Sequence, residues 1–107
     1  MVVSRFDVWL IELDPTKGSE INKTRPCLVV SPDELNRPIK TVIIAPMTTK
    51  GKIYKSRIPC VFDNKEGLIV VDQIKAVDKE RLVAKLGEID KKTGIKVLSV
   101  LQELFAE

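Results

Sequence analysis

The chain has 107 residues, 44% hydrophobic and 31% charged, with a formal net charge of +3 and no histidine. This suits one domain over residues 1–107 and excludes a disordered or fibrous chain. Lack of histidine excludes a Ser-His-Asp triad, a Cys-His pair and any histidine-ligated metal site. No run approaches the ~18 apolar residues of a membrane span.

Phe6 to Leu13, FDVWLIEL, is rich in aromatic and β-branched residues and predicts a first strand, ended by Asp14-Pro15. Residues 16–24 are polar and longer than a typical connection, which points to a functional loop. Pro26 to Ser31 is nearly all apolar and predicts a buried strand; Ser31 to Asn36 reads as a cap and one helical turn. Thr41 to Pro46 is a second buried strand, followed by a long polar loop from Met47. Ile58 to Phe62 reads as a strand and Asp63 to Gly67 as a turn. Leu68–Val71 and Ile74–Val77 carry a strand past Asp72-Gln73, with a polar turn or short helix at Asp78 to Arg81. Leu82 to Ile89 is the last strand. Asp90 caps a helix from Lys91 to Phe105, with Ile95, Leu98, Leu101 and Phe105 as its apolar stripe. The pattern predicts a mainly β, mostly antiparallel small barrel with short helices and a C-terminal α-helix. Loops 16–24 and 47–57 are then candidates for one shared site on its rim.

Met1 to Phe6 has no apolar stretch of signal-peptide length, so a cytoplasmic protein is expected. Cys27 and Cys60 belong to no CxxC pair and read as reduced, buried thiols. Lys50, Lys52, Lys55 and Arg57 cluster in one segment, and Lys17, Lys23 and Arg25 in another. Brought together they form a surface suited to phosphates; taken alone they are solvated loop charges.

Without histidine, chemistry must fall to Arg, Lys, Asp, Glu, Thr or Ser. Arg25, fixed by Pro26, offers a planar fork matched to phosphate oxygens, or else a structural pair for Glu20 or Asp14. Thr48 and Thr49 follow a buried strand and can donate to a non-bridging oxygen, or simply cap a turn. Asp72-Gln73 interrupts LIVVDQIKAV, as a bulge or as a ligand contact.

DVWLIELDPTKGSEINKTRPCLVVSPDELN, then VIIAPMTTKGK, GLIVVDQIKAVDKERL and LGEI before a terminal helix, resemble the MazF/PemK family of toxins across the whole chain. The resemblance implies an SH3-like β-barrel that forms a homodimer. It implies a toxin of a toxin–antitoxin module, an mRNA interferase that cuts single-stranded RNA without metal or cofactor. The ends left are a 2′,3′-cyclic phosphate and a 5′-OH. It further implies a cognate antitoxin with an acidic disordered tail, DNA binding only through the antitoxin complex, and no membrane association.

The family's catalytic arginine and threonine align with Arg25 and Thr48, and Glu20 is the candidate base or orienting group, with Asp72 a weaker one. Ser19, Thr49, Lys50, Asp72 and Gln73 are expected at the RNA. Some plasmid-type relatives place a histidine where this chain has Ser19 and an arginine where it has Val70, so the arginine/threonine chemistry is the one implied here. Phe6 replaces a glycine common in relatives. Tyr54 is the one aromatic placed to stack a base, while Trp9 and the phenylalanines read as core. Two rivals remain: a gyrase-poisoning toxin of the same fold, and a noncatalytic nucleic-acid-binding barrel.

Overall fold

The computed structural model describes residues 1–13 and 23–107. Its elements are β1 (Asp7–Leu13), β2 (Lys23–Val29), α1 (Asp33–Asn36), β3 (Thr41–Thr48), β4 (Arg57–Phe62), β5 (Lys65–Val70), β6 (Lys75–Asp78), β7 (Leu82–Glu88) and α2 (Lys91–Phe105). The strands form one antiparallel sheet in the order β4-β5-β3-β2-β1-β7, with β6 also on β3. One edge of β3 takes β6 along Thr41 to Ile44 and β5 at Met47 and Thr48. Between these pairings the chain makes a single 3-10 turn, Val71–Gln73. The register along β3 advances by that turn's length between Met47–Ile69 and Ile44–Lys75. The strand expected to pass Asp72-Gln73 is thus two strands, and the sheet curls about β3 into a partial barrel.

Strand limits differ from the sequence reading at three places that matter. β2 starts at Lys23 and β3 runs to Thr48, so Arg25 and Thr48 lie in strands rather than in loops. The turn expected over 63–67 is only Asp63-Asn64, with φ of 53° and 61°. Two successive left-handed residues are the signature of a tight hairpin turn, and they return the chain directly into β5.

The central strands bury both faces, which explains their continuous apolar runs. One face gathers Trp9, Ile11, Cys27, Val29 and Ile44; the other gathers Val8, Leu28, Ala45, Met47 and Ile69. Asp7 is fully buried between them. Its Oδ2 accepts from the Ser4 amide at 2.9 Å and the Trp9 indole at 3.2 Å, and Lys85 Nζ stands 3.4 Å from Oδ1.

Asp90 caps α2, accepting from the Thr93 amide at 3.1 Å and hydroxyl at 2.7 Å. The helix meets the sheet through Gly94 and Val97, with Leu98, Val100 and Leu101 partly covered. Ile95 and Phe105, expected in the apolar stripe, are exposed. The contact line runs through 94, 97 and 101, which turns 95 and 105 toward solvent. Trp9 belongs to one core cluster, Phe6 and Phe62 pack against the other, and Phe105 is exposed. No helix among the described residues is long and apolar enough to cross a membrane.

Candidate active site

β2 and β3 pair through Cys27–Pro46, Leu28–Ala45 and Val29–Ile44. Continued by two residues, that register sets Arg25 opposite Thr48. On β2 and β3 alternate residues share a face, so both extend the face buried by Cys27, Val29 and Ile44. The apolar face therefore ends in a guanidinium and a hydroxyl at the rim of the sheet. Arg25 is half-buried, and its Nε is buried with no hydrogen-bond partner among the described residues. Burying such a donor is unfavourable unless an acceptor arrives.

Thr48 Oγ1 accepts from the Lys50 amide at 3.1 Å. That bond uses a lone pair and leaves the hydroxyl proton free to donate. On the other side Thr48 pairs with Leu68 of β5. A Cβ on the next residue, Gly67, would stand 2.9 Å from the Thr48 carbonyl oxygen. Only glycine lets β5 approach that closely.

Arg25, Thr48 and Thr49 line one cavity of about 230 Å³. Its far wall is the β4–β5 hairpin, with Cys60, Phe62, Asp63, Lys65, Glu66 and Leu68, and Leu86 of β7 closes a side. The sequence reading missed this wall. It took 63–67 as a turn, and the signal that was there is Phe62 and Leu68 flanking a two-residue Asp-Asn turn.

The other expected site residues fall elsewhere. Lys50 is exposed and contributes its backbone amide. Asp72 and Gln73 sit on the 3-10 turn, outside the cavity. Asp72 accepts from Ser56 Oγ at 3.0 Å and from Arg57 Nε at 3.4 Å. Burial pulls its carboxyl upward, but those two donors outweigh it and hold it below the ordinary range. Arg57 also lies 4.9 Å from the Tyr54 ring centroid, so Asp72 fixes a cation stacked on the exposed aromatic of the loop. Ser19 and Glu20 lie outside the described residues.

Both cysteines are free thiols. Burial pushes Cys27 up to about 12 against the opposing pull of Arg25 and Lys75. Cys60 is only half-buried; burial first, and Asp90 second, raise its pKa too. Neither thiol is suited to nucleophilic work at neutral pH. No group of three or more His, Cys, Asp or Glu side chains among the described residues is placed to hold a metal ion.

Residues 4–105 match the family of PemK-like, MazF-like toxins of type II toxin–antitoxin systems. The chain belongs to this family. It is 34% identical over 110 residues to endoribonuclease EndoA of Bacillus subtilis (strain 168), an alignment that covers 95% of the chain and 93% of that relative. The fold of the toxin also matches MazF from Deinococcus radiodurans, with a TM-score of 0.85 at 23% identity, over 97% of this chain and 96% of that one. A mycobacterial endoribonuclease in complex with its cognate antitoxin superposes with a TM-score of 0.76 at 24% identity, covering 95% of this chain and 91% of that one. These likenesses place the curled sheet and terminal helix of the toxin in the MazF fold.

Proposed function

We propose that this toxin is a cytoplasmic endoribonuclease that cuts single-stranded RNA, chiefly mRNA, without a metal ion, and acts as a homodimer of one-domain chains. The observation that supports the reading is that Arg25 and Thr48 both line one small cavity, with the Thr48 hydroxyl proton not used in its bond from the Lys50 amide. RNA brings its own nucleophile, so a protein needs mainly to align it and to stabilise the charge that develops.

The 2′-oxygen attacks phosphorus, the bond from phosphorus to the 5′-oxygen breaks, and a 2′,3′-cyclic phosphate remains. Arg25 holds the non-bridging oxygens, with Thr48 donating beside it and Thr49 and Lys50 on the approaching chain. The 2′-OH proton passes to a carboxylate, and the departing 5′-oxygen takes a proton from water to leave as 5′-OH. Guanidinium is too weak a base for the first transfer. Glu20 is assigned that role in preference to Asp72, because Ser56 and Arg57 already occupy Asp72 outside the cavity. Ser19 and Gln73 are assigned to substrate contacts beyond the scissile phosphate. The cognate antitoxin covers this site with an acidic, disordered tail, and DNA is contacted only by the antitoxin in that complex.

Purified protein with a long RNA tests the reading. Specific fragments with cyclic phosphate ends, formed equally in EDTA, are expected. Arg25→Ala lowers the rate by ~10²–10³, the usual effect of losing one preorganised donor. Fragments that vanish in EDTA, or an Arg25→Ala protein as active as the parent, overturn it. Intact RNA with inhibited gyrase would favour the gyrase-poisoning rival.

A further inference from the structure

The catalytic cavity is electrically balanced: Arg25 and Lys65 are matched by Asp63 and Glu66 among the described residues that line it. Such a lining offers little net attraction to a polyanion. Uncompensated charge lies further along. A groove of about 400 Å³ runs beside β4, between the 53–57 loop and α2. Tyr54, Lys55, Arg57, Lys96 and Ser99 line it, and no carboxylate among the described residues does. Neither Lys55 nor Lys96 has an ion-pair partner among the described residues.

The groove joins the cavity over one face of the sheet. Thr48 pairs with Leu68, and Leu68 with Pro59, so these side chains share a face. Arg57, two residues from Pro59 along β4, shares it too. Thr49 and Leu68 line both the cavity and a depression beside it; Ile53 and Pro59 line both that depression and the groove. Two strand spacings put β4 about 10 Å from β3, beyond the scissile phosphate but within reach of its neighbours along an RNA strand. β4 is the terminal strand, so its free edge opens toward α2. Lys96 and Ser99, three apart and therefore on one helix face, enter the groove from there.

We propose that this groove is a second RNA-binding site of the toxin, in which Lys55, Arg57 and Lys96 hold phosphates away from the cut and Tyr54 stacks one of the bases between them. The inference rests on the ribonuclease reading and divides its work: the groove supplies affinity and the cavity supplies cleavage. Arg57 stands 4.9 Å from the Tyr54 ring centroid while Asp72 holds its Nε, so the platform is set before RNA arrives. The loop closes on the same guanidinium at Gly51, where φ is 124° and a Cβ would lie 3.2 Å from Arg57 Nη1. Tyr54 is 53% exposed, which leaves ring surface for a base. Aromatics set among cations are the usual platform for single-stranded nucleic acid.

Fluorescence anisotropy tests this with dye-labelled RNAs that carry a 2′-deoxy nucleotide at a mapped cut, titrated between 50 and 200 mM salt. Each phosphate contact on a single strand adds about 0.7 to the slope of log affinity against log salt. Lys96→Ala is expected to lower that slope by about 0.7 and to weaken binding about 2- to 5-fold at the low-salt end. Lys91→Ala, exposed on α2 but outside the groove, is the control and keeps the wild-type slope. Tyr54→Ala is expected to weaken binding about 5- to 150-fold with the slope unchanged, and Tyr54→Phe to restore it. A wild-type slope in Lys96→Ala overturns the proposal, as does wild-type affinity in Tyr54→Ala.

RNAs shortened stepwise from each end place the groove along the strand. From one end, the Lys96→Ala effect should vanish while cleavage by wild type continues. An effect that persists on the shortest cleaved RNA would put Lys96 at the scissile phosphate and overturn the proposal. So would a Lys96→Glu protein that binds RNA normally but changes its association state in sedimentation, since the groove would then seat protein. If wild type leaves every RNA intact, the ribonuclease reading fails, and salt slopes on unmodified RNA still decide the groove. Cleavage with identical slopes refutes the groove alone.

Discussion

The ring of Phe6 fills the space that a side chain on Gly94 would need. An ideal Cβ there would stand 2.6 Å from the Phe6 Cζ and 2.7 Å from two further ring atoms. Phe6 holds this position with φ of 73°, a left-handed conformation that a bulky residue adopts rarely. Its amide donates to Val29 O at 2.8 Å and its carbonyl accepts from Ile89 at 2.9 Å, so neighbouring backbone fixes the conformation. Gly94→Ala is expected to destabilise the fold by about 1–3 kcal/mol, the usual cost of overpacking, despite alanine's better helix propensity. In a Phe6→Gly background the same change becomes neutral or stabilising. Urea midpoints of the four proteins measure this coupling, and additive effects would refute it.

Gly67 predicts the reverse balance of effects. Its contact is with backbone, the Thr48 carbonyl oxygen, and not with a movable side chain. Gly67→Ala pushes β5 away from the last residue of β3 and shifts Thr48. Cleavage is expected to fall by about 10²-fold, the size of effect seen when a reacting group is misplaced by an ångström. The urea midpoint should fall modestly, because this is the rim of the sheet. A variant of undiminished activity would show that Thr48 need not be held there.

Asp72 is expected to act through Arg57 rather than on RNA. Asp72→Asn keeps the size of the side chain but removes the charge that pins Arg57 against Tyr54. KM for RNA should rise several-fold with little change in kcat, since uniform binding is what is lost. Because the Asp72 carboxyl is held low, the clamp is intact above the ordinary carboxylate range and is lost as pH falls through the depressed value. Carboxyl chemical shifts followed through an acid titration read this directly, and Asp72 titrating at or above the ordinary range would contradict it.

Cys27 sets an alkaline limit. Its thiol is raised to about 12 in the folded protein, so the native state keeps a proton that the unfolded chain releases. The stabilising effect is complete below the ordinary thiol pKa of about 8.5 and is lost progressively as pH rises toward the folded value, at roughly 1.4 kcal/mol per pH unit. Cys27→Ala should be less stable than wild type at pH 8, by the loss of a buried group, and the gap should narrow by pH 10. Denaturant midpoints at the two pH values decide it; a constant gap would mean that Cys27 ionises normally.

Much of this architecture is legible in the amino acids because its signals are local. The apolar runs of β2 and β3 report burial on two faces, and Asp90 announces α2. What eludes a linear reading depends on distant partners. Arg25 and Thr48 are brought to one end of the sheet by strand register, which neither segment encodes alone. Lys65 to Gly67 reads as turn because the hairpin lies at the sheet margin with much of its surface in solvent, and Gly67 is there for the backbone of Thr48. The helix face was misjudged for a similar reason: Gly94, the least apolar candidate, sets the contact because Phe6 needs its space.

The sheet order has a consequence for how such a toxin can diversify. Arg25 and Thr48 belong to β2 and β3, interior strands locked on two sides, whereas β4 is the terminal strand and its hairpin tip is two exposed residues. Substitutions at 63–66 therefore disturb few interior neighbours, whereas changes in β2 or β3 are felt by a strand on each side. The margin of the sheet is thus where this scaffold tolerates change most readily.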